Sequence, residues 1–186
     1  MINDYEATQP MTTDAVPTAQ RTTLDNDDVI STLNGLIETC KDGEEGFREA
    51  AEGTKSSQLK EIFYEYSQQR SQFMGELQSL VRDLGGDPED SGTFSGAIHR
   101  GWINIKSAIA GNDVKAVLNE CERGEDSAKK TYKDALEQRL PSNVSDIVQQ
   151  QFAAITEAHD RIRMLRDAAN AGNTNFDTAR SAGSGY

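Results

Sequence analysis

Hydrophobic residues recur through the middle of the chain at steps of three and four, the spacing that places side chains on one face of an α-helix. Four stretches carry the pattern. Residues 27–52 present Ile30, Leu33, Ile37, Cys40, Glu44, Phe47 and Ala51, with Asp25 or Asn26 placed to cap the start and Gly53 to stop the end. Residues 57–84 present Leu59, Phe63, Tyr66, Arg70, Phe73, Leu77, Leu80 and Leu84, and end at the sequence GGDP. Residues 114–139 present Val114, Leu118, Cys121, Glu125, Ala128, Tyr132 and Ala135, and Pro141 breaks the run. Residues 144–169 offer Val148, Phe152, Ile155, His159, Ile162 and Leu165. No stretch alternates with the period of a strand.

The joins decide how these helices meet. A few residues connect the first to the second and the third to the fourth, and short joins make antiparallel neighbours. The link over residues 85–113 is longer and contains SGAIHRGWINIKSAIAG, itself an amphipathic helix. The second helix is about 40 Å long, and this link can travel back along it. The expectation is an all-α domain over residues 25–170: a four-helix bundle with one long crossover carrying a short fifth helix. Trp102, Ile98, Ile103, Ile105 and Ile109 would hold that crossover down, with His99 beside Arg100 as a surface or docking residue. Residues 1–24 and 171–186 lack periodicity and are expected to be disordered tails.

Each apolar stripe contains one polar intruder near its middle: Glu44, Arg70, Glu125 and His159. A charge among apolar neighbours is costly unless it is paired, so four at similar depth predict one polar layer across the domain. An internal repeat supports matched levels. CKDGEE (40–45) and CERGED (121–126) place a cysteine, a glycine and a glutamate at the same offsets, which makes Glu44 and Glu125 equivalent. The chain then reads as two pseudo-equivalent hairpins. Cys40 and Cys121, one turn before those glutamates in antiparallel helices, would sit on opposite sides of the layer, too far apart for a disulfide.

The stretches LIETCKDGEEGFREAAE, SGAIHRGWINIKSAI, ECERGEDSAKKTYKDAL and AAITEAHDRIRML carry a resemblance. Over residues 27–169 the chain resembles the ferritin-like superfamily, and within it a bacterial four-helix-bundle family known only as a domain of unknown function. The resemblance implies a ferritin-like bundle and an association with stress. Metal-binding members use a lone Glu on helices one and three and Glu-x-x-His on helices two and four. It would place Glu44 and Glu125 as the lone glutamates. Both Glu-x-x-His motifs are missing. Arg70 is flanked by Ser67 and Phe73 at those offsets, and His159 by Thr156 and Ile162. Three ligands remain, Glu44, Glu125 and His159, and a guanidinium that offers no lone pair. Two readings follow. In the first, the layer is a salt-bridge device that fixes helix register and the protein is non-catalytic, without cofactor. In the second, Glu44, Glu125 and His159 hold one divalent ion, iron, manganese or zinc.

Composition narrows the partners. With 31 Asp and Glu against 19 Lys and Arg, the net charge of −12 argues against nucleic acid and against an anionic membrane surface. No apolar run approaches the length of a membrane span. The N-terminal residues lack a basic and then apolar signal pattern, and two cysteines suit a reducing compartment, so a cytoplasmic location is expected. Cys40 and Cys121 read as small core residues. Tyr66 and Tyr132 could turn their hydroxyls toward the layer or simply pack. Glu45, Glu49, Lys129 and Lys133 read as solvated faces with weak pairing. Outer helix faces remain for self-association. No nucleophile–base pair, phosphate loop or Cys-x-x-Cys is present.

Overall fold

The computed structural model describes residues 24–89, 105–111 and 113–172. The regular structure among them is all helical, as the periodicity requires. Four long helices are formed: α1 (Asn26–Gly53), α2 (Ser57–Asp83), α3 (Val114–Leu136) and α4 (Ser142–Asn170). Residues 105–110 form a further helical stretch within the link between α2 and α3. No helix among the described residues is long and apolar enough to cross a membrane.

The helix ends are set by local chemistry. Asp25, Ser56 and Asp113 each accept a backbone N–H from the first turn they precede, at Asp28, Leu59 and Ala116. Past the end of α2, Gly85 adopts φ +82°. Its N–H returns to the Arg82 carbonyl and that of Gly86 to Val81, the paired bonds of a Schellman stop. Helix α3 was expected to reach Arg139 but ends at Leu136. The residue before a proline avoids helical backbone, and the chain turns over residues 137–140 ahead of Pro141. Pro141 then starts α4 at Ser142, earlier than expected. It has no side-chain cap, and its carbonyl takes the N–H groups of Val144 and Ser145.

Two apolar clusters make the core. One joins Phe47, Ala50 and Ala51 of α1 to Leu59, Ile62, Phe63 and Tyr66 of α2, Val117, Leu118 and Cys121 of α3, and Ala158, Ile162, Leu165 and Ala169 of α4. The other joins the opposite halves, including Leu33, Ile37 and Cys40 with Phe73, Leu77, Tyr132, Val148 and Ile155. The late part of α1 therefore meets the early parts of α2 and α3. Helix α1 runs antiparallel to both, and α2 and α3 run parallel. The buried stripes are wider than a single line of residues. Val29, Leu36 and Ala50 join the α1 stripe, while Ile30 sits at its edge.

The two described ends of the link pack against opposite ends of α1. Gly86 lies against Ile30, and Asn34 holds the Asp87 carbonyl and the Glu89 N–H. The link reappears over the other end of α1, with Ala108 in the first cluster and Ile109 packed on it. Gly53 is what admits it, since a Cβ there would come within 2.4 Å of Ile109. Ile98, His99, Arg100, Trp102 and Ile103 lie outside the described residues, as do residues 1–23 and 173–186. Leu24, expected in the N-terminal tail, packs against the second cluster, and its N–H donates to the Arg139 carbonyl.

Cys40 and Cys121 are free and buried, one in each cluster. Burial pushes the Cys40 thiol up to about 11 and raises Cys121 as well. Both thiols should therefore be sluggish toward alkylating reagents in the native protein at neutral pH. After denaturation without reductant, titration should find both reactive. An intramolecular bridge seen by mass spectrometry would contradict the helix directions.

Candidate functional site

Between the two apolar clusters lies a polar layer. Arg70 of α2 donates from Nη2 to Oε2 of Glu125 on α3 at 2.6 Å, and the two side chains are 1% and 2% exposed. The guanidinium lies between two rings, 6.0 Å from the Phe47 centroid and 5.7 Å from that of Phe73. Its stem crosses α1 at Gly43, where an added Cβ would stand 3.1 Å from Arg70 Cγ. Nη1 donates to Oε1 of Gln69, and Nε has no hydrogen-bond partner among the described residues. Burial raises the Glu125 carboxyl above its ordinary range, while Arg70 beside it, and His159 and Lys129 further off, pull the other way.

A second network lies deeper in the Cys40 cluster and draws one side chain from each helix. Tyr132 Oη of α3 donates to Oε1 of Gln151 on α4 at 2.8 Å. That single hydroxyl proton is then used, so the Cys40 thiol of α1, 3.0 Å away, is the donor to Tyr132. Gln151 Nε2 donates onward to Oε2 of Glu76 on α2 at 2.8 Å and to the Phe73 carbonyl at 3.4 Å. Tyr66 behaves differently. It packs on Phe47 at 5.3 Å, and burial pushes its hydroxyl up to about 12 against the opposing charge of Arg161.

The four sequence-derived residues do not all converge. Arg70 and Glu125 pair. Glu44 stays 23% exposed and takes Arg48, one turn along its own helix, at 3.0 Å. What α1 gives the layer is the Glu44 carbonyl, which accepts from Ser67 Oγ at 3.0 Å. A second carboxylate on one guanidinium would leave a net negative charge buried, so Glu44 turns to water. His159 sits at the rim, its ring nitrogens each 2.9 Å from Asp126 and Asp160 oxygens. Glu44, Glu125 and His159 therefore form no ligand set. No group of three or more His, Cys, Asp or Glu among the described residues is placed to hold a metal ion. With Arg70 fixed on Glu125, the donor chemistry of the layer does not fit a bound cation. Gln151 was missed because Phe152 occupies the neighbouring stripe position. The available signal was the spacing from Val148 and Ile155, which Gln151 satisfies equally well.

Truncating Arg70 should be severe. Arg70→Ala leaves Glu125 buried and unpaired, an expected loss of about 3–5 kcal/mol in urea unfolding, and the double replacement Arg70→Met, Glu125→Leu should recover most of it. A loss under about 1 kcal/mol for Arg70→Ala would mean that the pair is solvated.

Asp42, half-buried on α1, gives a pH signature. Burial, then Glu38 and Glu45, push its carboxyl from 3.8 up to about 7, against Lys41. The folded state then holds this proton more tightly than the unfolded chain, so stability is lost as pH rises from 3.8 through about 7. Asp42→Asn should match the parent near the bottom of that window and exceed it above the top, by on the order of 1 kcal/mol after solvent screening. Urea unfolding across that pH range checks the sign.

Comparison with known proteins adds the family. No curated protein matches the chain. Residues 28–138, from α1 through α3, match the family model described as a domain of unknown function, DUF2383, and the chain belongs to that family.

Proposed function

We propose that this chain is a non-catalytic helical-bundle protein of ferritin-like connectivity, which acts by association rather than turnover. In this reading its central layer has exchanged a metal centre for a guanidinium. The observation that supports it is the buried Arg70–Glu125 pair. A guanidinium stays protonated and offers no lone pair, so it balances the carboxylate permanently and blocks coordination there. The ordering of the two clusters also favours the connectivity, since α2 and α3 run parallel and the described ends of the link between them pack at opposite ends of α1.

A cytoplasmic location, a stress-associated role and no dealings with nucleic acid or membrane belong to the same reading. They rest on the acidic charge, the cysteine usage and the family resemblance. Self-association would use outer helix faces. Tyr64 on α2 and Met164 on α4, the exposed large apolar side chains among the described residues, are where it would be probed.

Adding Fe(II), Mn(II) or Zn(II) to untagged protein should leave its melting temperature unchanged, because a ligand that binds only the folded state must raise it. Elemental analysis of the same preparation should find less than one metal per chain. A stoichiometric metal that raises the melting temperature and is lost in Glu125→Ala would overturn the proposal.

A further inference from the structure

We infer that the face shared by the second half of α2 and the first half of α4 docks a second copy of this chain, forming a weak homodimer. The inference rests on the association reading above and gives it a partner and a surface. The two segments lie side by side, since Gln151 of α4 donates to Glu76 and to the Phe73 carbonyl of α2. Over residues 66–81 the charged side chains are Glu76 and Arg70, and Arg70 is buried on Glu125. Over residues 142–156 there is Asp146 alone. Amides and hydroxyls face the water instead: Gln68, Ser71, Gln72 and Ser79 on α2, with Gln149 and Gln150 on α4. Glu76 is itself held down, its two carboxylate oxygens taking amide hydrogens from Gln72 and Gln151. Two copies of a chain with net charge −12 repel, and they approach most closely across the face with the fewest charges. Depletion of charge also marks the centre of protein interfaces.

Gly75 stands in the middle of this face. It is exposed and inside a helix, and a Cβ there would meet nothing within 4 Å. Glycine weakens a helix interior relative to alanine, and no packing among the described residues requires it here. A missing Cβ lets a neighbouring backbone come close. Gly35 and Gly124 have open space as well, but Glu38 and Glu120 stand one turn from them. One turn from Gly75 are Ser71, Gln72, Gln78 and Ser79, all uncharged. The α4 segment rises about 22 Å, and two helices side by side are about 20 Å wide. The face therefore offers on the order of 400 Å² per copy, about half of a standard interface, which sets a weak, concentration-dependent pair.

Analytical ultracentrifugation of the untagged full chain, from dilute solution to about 1 mM, tests it. Monomer should give way to dimer as concentration rises. Added salt should favour the dimer, because it screens the repulsion between the net charges. Gly75→Glu and Gln150→Glu place charge on the face and should each weaken dimerisation about tenfold or more. Gly75→Glu has open space and gains helix propensity, so its monomer should melt no lower than the parent. Met164→Glu, late on α4 and beyond the face, should leave dimerisation unchanged. A parent that stays monomeric at about 1 mM, a dimer that salt dissociates, or one that Met164→Glu breaks and Gly75→Glu spares would overturn the inference. A monomeric parent that takes up no metal would do so while leaving the non-catalytic reading in place.

Discussion

One guanidinium and one carboxylate share an interior closed to water, and much of the structure follows from that constraint. Arg70 can neutralise Glu125 but not a second acid at the same depth. The repeat places Glu44 in register with Glu125, and the helix resolves the excess charge by turning Glu44 outward onto Arg48. Glycine at position 43 lets the Arg70 stem pass α1 with no side chain in the way. The polar contact from α1 is then made by a backbone carbonyl, on Ser67, which brings no charge.

The layer and the apolar clusters do different work. Burial of the leucines, isoleucines and phenylalanines drives collapse, but that force has no direction and tolerates sliding. Hydrogen bonds do not. A slip of one helix by a turn, about 5.4 Å, would part Arg70 from Glu125 and break the run from Cys40 through Tyr132 and Gln151 to Glu76. The ion pair ties α2 to α3, and the second network touches all four helices. Together they fix the register that the apolar surfaces leave loose. A core with neither network could be as stable, since well-packed apolar groups often match a buried ion pair.

The helices were legible in the sequence because a one-sided apolar face repeats visibly at 3.6 residues. The four long elements, their directions and the separated cysteines all follow from that pattern and from loop length. The site was legible only in part. Arg70 and Glu125 are charges in otherwise apolar stripes, and a charge there needs a partner. Glu44 looked equivalent by repeat, yet a repeat gives the position along the helix and not the direction of a side chain. On α4, residues 151 and 152 both continue the stripe from Val148. Hydrophobicity favours Phe152, but the cluster admits Gln151, because Tyr132 and Glu76 supply partners that no local pattern contains. Partners from distant helices decide burial of polar groups, and sequence spacing within one helix carries no trace of them.

The same constraint shapes what this interior can exchange with its surroundings. A guanidinium carries a permanent charge, and burial raises the thiols and tyrosines away from the neutral range. Glu125 is shielded from water by both clusters. The imidazole at the rim has both solvent-facing partners and an electrostatic line to the buried carboxylate. A layer balanced by a fixed guanidinium thus keeps its charge pair inside, while the contacts open to solvent are confined to its rim.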